Sequence, residues 1–171
     1  MDNYMITSRT EKLVSKSSEL GFTSVYFDNE FVILTSKNVK DLLKDIKKHK
    51  GKKIIFKPSD EKILRFAIEK TKIEMILGVE QINPKDSVHY LRGGVDQVSL
   101  RIMKEKGIVL AFSFSDILHS TNRARLLGRM MMNIRLARKY DVKTVFSTFG
   151  SAKELRSTHD LTSFWRVLGG K

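Results

Sequence analysis

Ser113, Ser115, Asp116 and His119 lie in one stretch, S-F-S-D-I-L-H-S, directly after an apolar run, and hydroxyl, carboxylate and imidazole together are the ingredients of nucleophilic catalysis. The context argues against that chemistry. No G-x-S-x-G elbow is present, and Ser or Asp after a strand more commonly caps the next helix or closes a turn. The same explanation covers Ser147, Thr148 and Ser151. His49, His89, His119 and His159 are scattered, with neither H-x-H nor H-E-x-x-H, so a histidine-based metal centre is not expected. Asp28, Glu30 and Asp116 near strand ends are too few for a metal cluster. No phosphate-cradling glycine loop occurs, and Gly93-Gly94 reads as a turn. Absence of cysteine removes disulfides and thiolate ligands, as suits a reducing compartment.

Cations are the chemistry the chain has in excess. There are 32 Lys and Arg against 19 Asp and Glu, a formal charge of +13. Residues 122–171 hold 11 basic and only 3 acidic side chains, and 7 of the chain's 11 arginines. Such a concentration favours a polyanionic partner, because neutralising phosphates releases counterions, and the guanidinium fork pairs with phosphate in a bidentate manner. A solvated basic surface is the plainer alternative.

The arginines must be positioned by a helix predicted over residues 122–140. Leu126, Leu127, Met130, Ile134 and Ala137 form its apolar, core-facing side. Arg125, Arg129, Arg135 and Lys139 occupy the opposite face, with Met132 and Leu136 exposed between them as a strip suited to a protein neighbour. Arg123 begins the helix on its core side, along the sheet's C-terminal edge, where a cation opposes the helix dipole unless an anion is bound.

Around this helix, short apolar runs alternate with helical patterns, the signature of βα units on a parallel sheet. Strands are expected at residues 4–7, 22–27, 31–35, 53–57, 73–77, 108–114 and 142–148, with a possible short eighth piece near the C-terminus. Helices are expected at 8–20 after a Ser8 cap, at 38–50, after a Ser59 cap, and at 96–106, with short turns at 152–156 and 161–168. No helix fits between the second and third strands. Residues 78–94 form a long polar loop, a candidate edge of a binding site. The whole, residues 1–171, reads as one α/β domain: a shortened TIM-like (β/α) barrel, or an open parallel sheet. A signal pattern and a membrane-length apolar run are both missing, so a cytoplasmic location is expected, with no membrane partner.

Several strings then become familiar in combination: G-I-V-L-A-F-S-F-S-D from Gly107, R-A-R-L-L from Arg123, and A-R-K-Y-D-V from Ala137. They resemble protein component 3 of archaeal ribonuclease P, a family shared with a eukaryotic ribonuclease P and MRP subunit, clearly over residues 93–169 and more faintly over 38–77. The resemblance implies a TIM-like barrel related to the polymerase and histidinol phosphatase phosphoesterases. It implies a noncatalytic subunit that binds and helps fold a catalytic RNA for 5′ maturation of precursor tRNA, alongside component 2 and other protein subunits, with precursor tRNA contacted indirectly. No cofactor is expected in the chain itself, and Mg-type divalent ions are expected for the RNA. Catalytic phosphoesterase relatives carry H-x-H after the first strand, where Ile6-Thr7-Ser8-Arg9 stands here. The chain is shorter than is usual for the family, through loss of the helix between the second and third strands and a brief C-terminus, which leaves barrel closure open. On this basis Arg92, Arg123, Arg125, Arg129, Arg135, Arg138, Lys139 and Arg156 are the expected phosphate contacts, and Met132 and Leu136 the expected partner contacts. A metal-dependent phosphoesterase and a structural, ribosome-like RNA-binding protein are the rival readings.

Overall fold

The computed structural model describes residues 1–171. Its helices start where a polar side chain can accept a free backbone N–H. Thr10 caps α1 (Glu11–Glu19), Asn38 caps α2 (Val39–Lys48), Asp60 caps α3 (Glu61–Lys70) and Asp96 caps α4 (Gln97–Lys106). Two caps thus differ from those expected: Thr10 rather than Ser8, and Asp60 rather than Ser59. Asp60 accepts from both Lys62 N and Ile63 N at 2.9 Å, and those bonds hold its carboxyl below the usual range. A cap of this kind contributes about 1 kcal/mol. Ser113, a candidate nucleophile by sequence, caps α5 (Phe114–His119), a six-residue helix lying where a loop was expected.

Seven strands form, one fewer than the expected count. β3 (Phe31–Leu34), β4 (Lys53–Phe56), β5 (Met75–Leu77), β6 (Val109–Ser113) and β7 (Thr144–Ser147) make one parallel sheet in that order, and β1 (Asp2–Tyr4) pairs in parallel with β2 (Ser24–Tyr26). The two sheets meet at the end of β7: Met5 bridges Gly150, Phe149 N–H donates to Tyr4 O at 2.8 Å, and Ile6 N–H donates to Gly150 O at 2.8 Å. Buried Asn3 reinforces the junction by accepting from Ser147 Oγ at 2.7 Å and Thr148 N–H at 3.0 Å. Gly150 has to be glycine here, since a Cβ would lie 2.0 Å from a Glu154 carboxylate oxygen and 2.8 Å from Ser115 Cβ.

Tyr4, Phe31, Ile55, Met75, Leu77, Ala111 and Phe149 pack together inside this wall, with Tyr26, Ile33, Val109 and Val145 against them. Every strand contributes to that cluster, as in a barrel interior. Between β2 and β3, however, no ladder forms. A turn replaces the missing helix: Glu30 N–H donates to Phe27 O, and the Glu30 carboxylate accepts from Phe27 N–H, each at 2.9 Å. Near this seam the Lys53 ammonium lies 4.1 Å from the Tyr26 ring centroid and donates to the Tyr4 hydroxyl at 3.1 Å. Burial, then the nearby Tyr26 and Asp2, push the Tyr4 phenol well above its ordinary range. The shortened barrel is therefore real, and its open seam lies where the helix is lost.

Outside the wall, a second, larger core joins the helices to the outward strand faces. Leu64, Ala67, Ile68, Leu100, Met103, Met130, Ile134 and Trp165 belong to it. Each large apolar side chain fully buried there stabilises the fold by roughly 1.5–3 kcal/mol. α6 (Arg123–Lys139) and α7 (Thr158–Val167) complete the chain, the latter ten residues long where only short turns were expected. No helix is long and apolar enough to cross a membrane.

Candidate nucleic-acid interface

The basic helix α6 is capped by Asn122, whose side chain accepts from Arg125 N–H at 3.1 Å. Along its length the arginines meet different fates. Arg129, expected on the solvent face, is 2% exposed. Its Nε donates to Asp86 Oδ1 at 2.8 Å, and its Nη1 donates to Glu80 O at 2.8 Å and to Asn83 O at 2.7 Å. The loop of residues 78–94 folds over the face that the helical wheel leaves to solvent, and Arg129 ties that loop down. It is not available to a phosphate. Asp86 is held below the usual carboxylate range by the Arg92 N–H and then by Arg129.

Arg123 is also occupied. It is exposed, but its Nε donates to Ile117 O at 3.1 Å and its Nη2 to Leu118 O at 2.7 Å. A cation that opposes the dipole of α6 therefore satisfies carbonyls at the end of α5, which explains its position without an anion. Arg156 is exposed and donates to Leu155 O at 3.0 Å, its guanidinium 5.8 Å from the Phe114 ring centroid. Arg92 is exposed and lines a groove of about 860 Å³ of mixed character, with Tyr90, Leu91, Met132 and Leu136 on one side and Glu61, Lys62, Arg65 and Asp96 also in the lining. Met132 and Leu136 are half-buried rather than fully exposed, and Leu136 packs on the core. Arg125 is half-buried at the rim of a separate polar cavity.

The last turn of α6 is different. Arg135, Arg138 and Lys139 are exposed and converge with Lys143 and Lys171 on one groove of about 660 Å³ beside the start of β7. Spacings of three and four residues stack the three α6 cations on one side of the helix. Arg138 is steadied by a 3.2 Å bond from Nη1 to Gly169 O. Asp141 is the one acid in the lining, and Lys104 pairs with it and holds its carboxyl low. Lys143 and Lys171 were not singled out from sequence; only the fold brings them to the arginines.

At the opposite end of the sheet, Asp116 accepts from Lys57 Nζ at 2.9 Å and from Gln81 Nε2 at 2.5 Å. Glu80 nearby is fully buried, and neither of its carboxylate oxygens has a hydrogen-bond partner. Burial first, and then the charge of Asp116, push its carboxyl up to about 7. No group of three or more His, Asp or Glu side chains is placed to hold a metal ion.

Fold and surface together define a basic parallel α/β protein of the shortened-barrel type, with a cationic groove at one end of its sheet. The particular likeness is to archaeal ribonuclease P protein component 3. The protein of that name from Methanococcus maripaludis is 26% identical over 164 residues, covering 93% of this chain and 68% of its own length. The one from Methanocaldococcus jannaschii is 28% identical over 160 residues, covering 92% and 64%. This chain thus spans about two thirds of the length of such relatives. A chain in the cryo-EM structure of archaeal ribonuclease P with mature tRNA superposes with a TM-score of 0.81 at 22% identity, covering 99% of this chain and 83% of that one. No protein-family model matches.

Proposed function

We propose that this protein is a noncatalytic subunit of a ribonuclease P holoenzyme, one that holds the catalytic RNA by its backbone during 5′ maturation of precursor tRNA. The observation that carries this reading is the groove at the end of α6, where Arg135, Arg138, Lys139, Lys143 and Lys171 converge around one already-paired acid. Such a surface contacts phosphates without reading sequence, and positions RNA rather than cutting it. The names of the relatives supply the class of RNA. The groove containing Met132, Leu136, Tyr90 and Leu91 is assigned to a protein neighbour, component 2 among the candidates, because half-buried Met132 and Leu136 there share the lining with exposed Tyr90 and Leu91. Divalent ions of the Mg type are assigned to the RNA, and the cytoplasm to the assembly.

The test is reconstitution of precursor-tRNA cleavage from the cognate RNA and the other protein subunits. Omission of this chain should slow cleavage, and cleavage unchanged by its omission would sink the proposal. The double variant Arg135→Glu, Lys139→Glu should weaken RNA binding about tenfold or more at moderate salt, with a shallower dependence of affinity on salt.

A further inference from the structure

The proposed function makes no use of the polar cavity under the start of α6. It measures about 320 Å³, at the small end of ligand-sized pockets, and is lined almost wholly by polar side chains. Two carboxylates stand in its wall. Asp116 is satisfied by Lys57 and Gln81, whereas Glu80 is 1% exposed and leaves both oxygens unbonded. Buried acceptors without donors are uncommon, and each one calls for an explanation.

The rest of the wall narrows what a partner for them can be. Two adjacent acceptors ask for two adjacent donors, which a guanidinium, an ammonium ion or a guanine edge can present. Arg125 and Arg129 stand in the same wall, and α6 directs its first free N–H groups and the positive end of its dipole toward this end. Those charges repel a cation. They favour a ligand that is neutral where it meets Glu80 and anionic where it meets Arg125, which is the charge pattern of a nucleotide. Among the four bases, only guanine offers two neighbouring donors, N1–H and N2–H, on its Watson–Crick edge. Unpaired bases in RNA are recognised on that edge.

We propose that this cavity binds one unpaired guanine nucleotide of an RNA strand, N1–H and N2–H donating to the two Glu80 oxygens and the phosphate lying against Arg125 and the first amides of α6. The inference rests on the RNA-binding reading and adds, at the other end of α6, a base-specific contact to a protein whose groove grips only backbone. Glu80 is closed off from solvent, so binding requires the cavity wall to part, and that step lowers the apparent affinity.

The experiment is run at about pH 8, where the Glu80 carboxyl has released its proton, and measures fluorescence anisotropy of the full chain with the RNA pentamers UUGUU, UUAUU, UUCUU and UUUUU, and with the guanine of UUGUU replaced by inosine, which lacks the N2 donor. UUGUU should bind roughly five- to a hundredfold more tightly than the other three, the range expected of a good bidentate base contact, and inosine should lose part of that advantage. Glu80→Gln should abolish the preference for guanine and raise the relative affinity for adenine, because an amide matches adenine's donor and acceptor. Equal affinity for all pentamers, or inosine as good as guanine, overturns the site while leaving backbone binding intact. Failure of every pentamer to bind at low salt overturns both readings. Displacement of UUGUU by arginine amide, with the four bases undistinguished, means the cavity takes a guanidinium and also overturns the proposal. The inosine comparison needs no protein variant, so it decides the matter even if Glu80→Gln fails to fold.

Discussion

Within α6, Arg129 and Arg123 spend their guanidinium groups on the carbonyls of neighbouring segments, while roughly two to three turns beyond Arg129 the side chains of Arg135 and Lys139 face open water and share a groove with Lys143. The charge is the same and the helix is the same; what differs is what folds over each half. The loop of residues 78–94 covers the middle of the helix and supplies Asp86 and two carbonyls, whereas the last turn meets only the C-terminal segment, which takes one bond from Arg138 and adds the cation of Lys171. Net charge on a helix is therefore a poor guide to how much of it a polyanion can use. An arginine surrounded by carbonyls is part of the fold, however basic the sequence around it.

The contrast can be broken most forcefully at Arg129. Arg129→Ala should destabilise the protein by about 3 kcal/mol in denaturant unfolding, since two loop carbonyls lose their donor and the loop loses its bond from a buried guanidinium to half-buried Asp86. Affinity of the folded protein for a guanine-free RNA, which engages only the groove at the end of α6, should stay within about twofold. A large loss of affinity with little loss of stability would place Arg129 in the interface instead.

An effect of similar size, set by pH, sharpens the same contrast from the side of Glu80. Its folded pKa of about 7 lies above the ordinary 4.5, so the native state holds a proton that the unfolded chain has released between those values. The contribution is fully present below about pH 4.5, and stability is lost as pH rises through 7. Over that window the loss is on the order of 3 kcal/mol for a shift of this size. Unfolding midpoints measured from pH 5 to pH 8 should fall, and Glu80→Gln should flatten the curve. An unchanged slope in the variant would remove Glu80 as its cause. The smallest effect is expected at Arg123, where Arg123→Ala should cost about 1 kcal/mol through the lost bonds to the end of α5, with no change in the salt dependence of RNA binding. A shallower salt slope would show that this arginine reaches phosphate after all.

How much of this was legible in the sequence depends on the range of the interaction. α2, α4 and α6 begin where expected because Asn38, Asp96 and Asn122 are local signals, read within one turn. The absence of a helix between β2 and β3 was legible too, from the few residues available. α5 was missed because six residues carry almost no periodicity, although the tendency of Ser113 to cap a helix was visible. Arg129 was misplaced because the wheel knows only one helix. Its partners lie more than forty residues away, and the acidic Glu80 and Asp86 in a loop flagged as a site edge were the available hint. Lys143 and Lys171 had no local signature, since they join Arg135 only through the return of the chain into β7 and α7.

The seam between β2 and β3 has a mechanical consequence. Elsewhere the wall is stitched by backbone bonds, which only a proline substitution removes; here it depends on one lysine lying against two tyrosine rings and on a glutamate closing a tight turn. A cylinder with one side-chain hinge among its backbone joints yields first at the hinge. The unpaired edge of β3 would be uncovered there before the rest of the sheet loosens, and an uncovered strand edge is a template for another chain. In this protein, a replacement at Lys53 is thus a replacement in the clasp that keeps the barrel from becoming an open sheet.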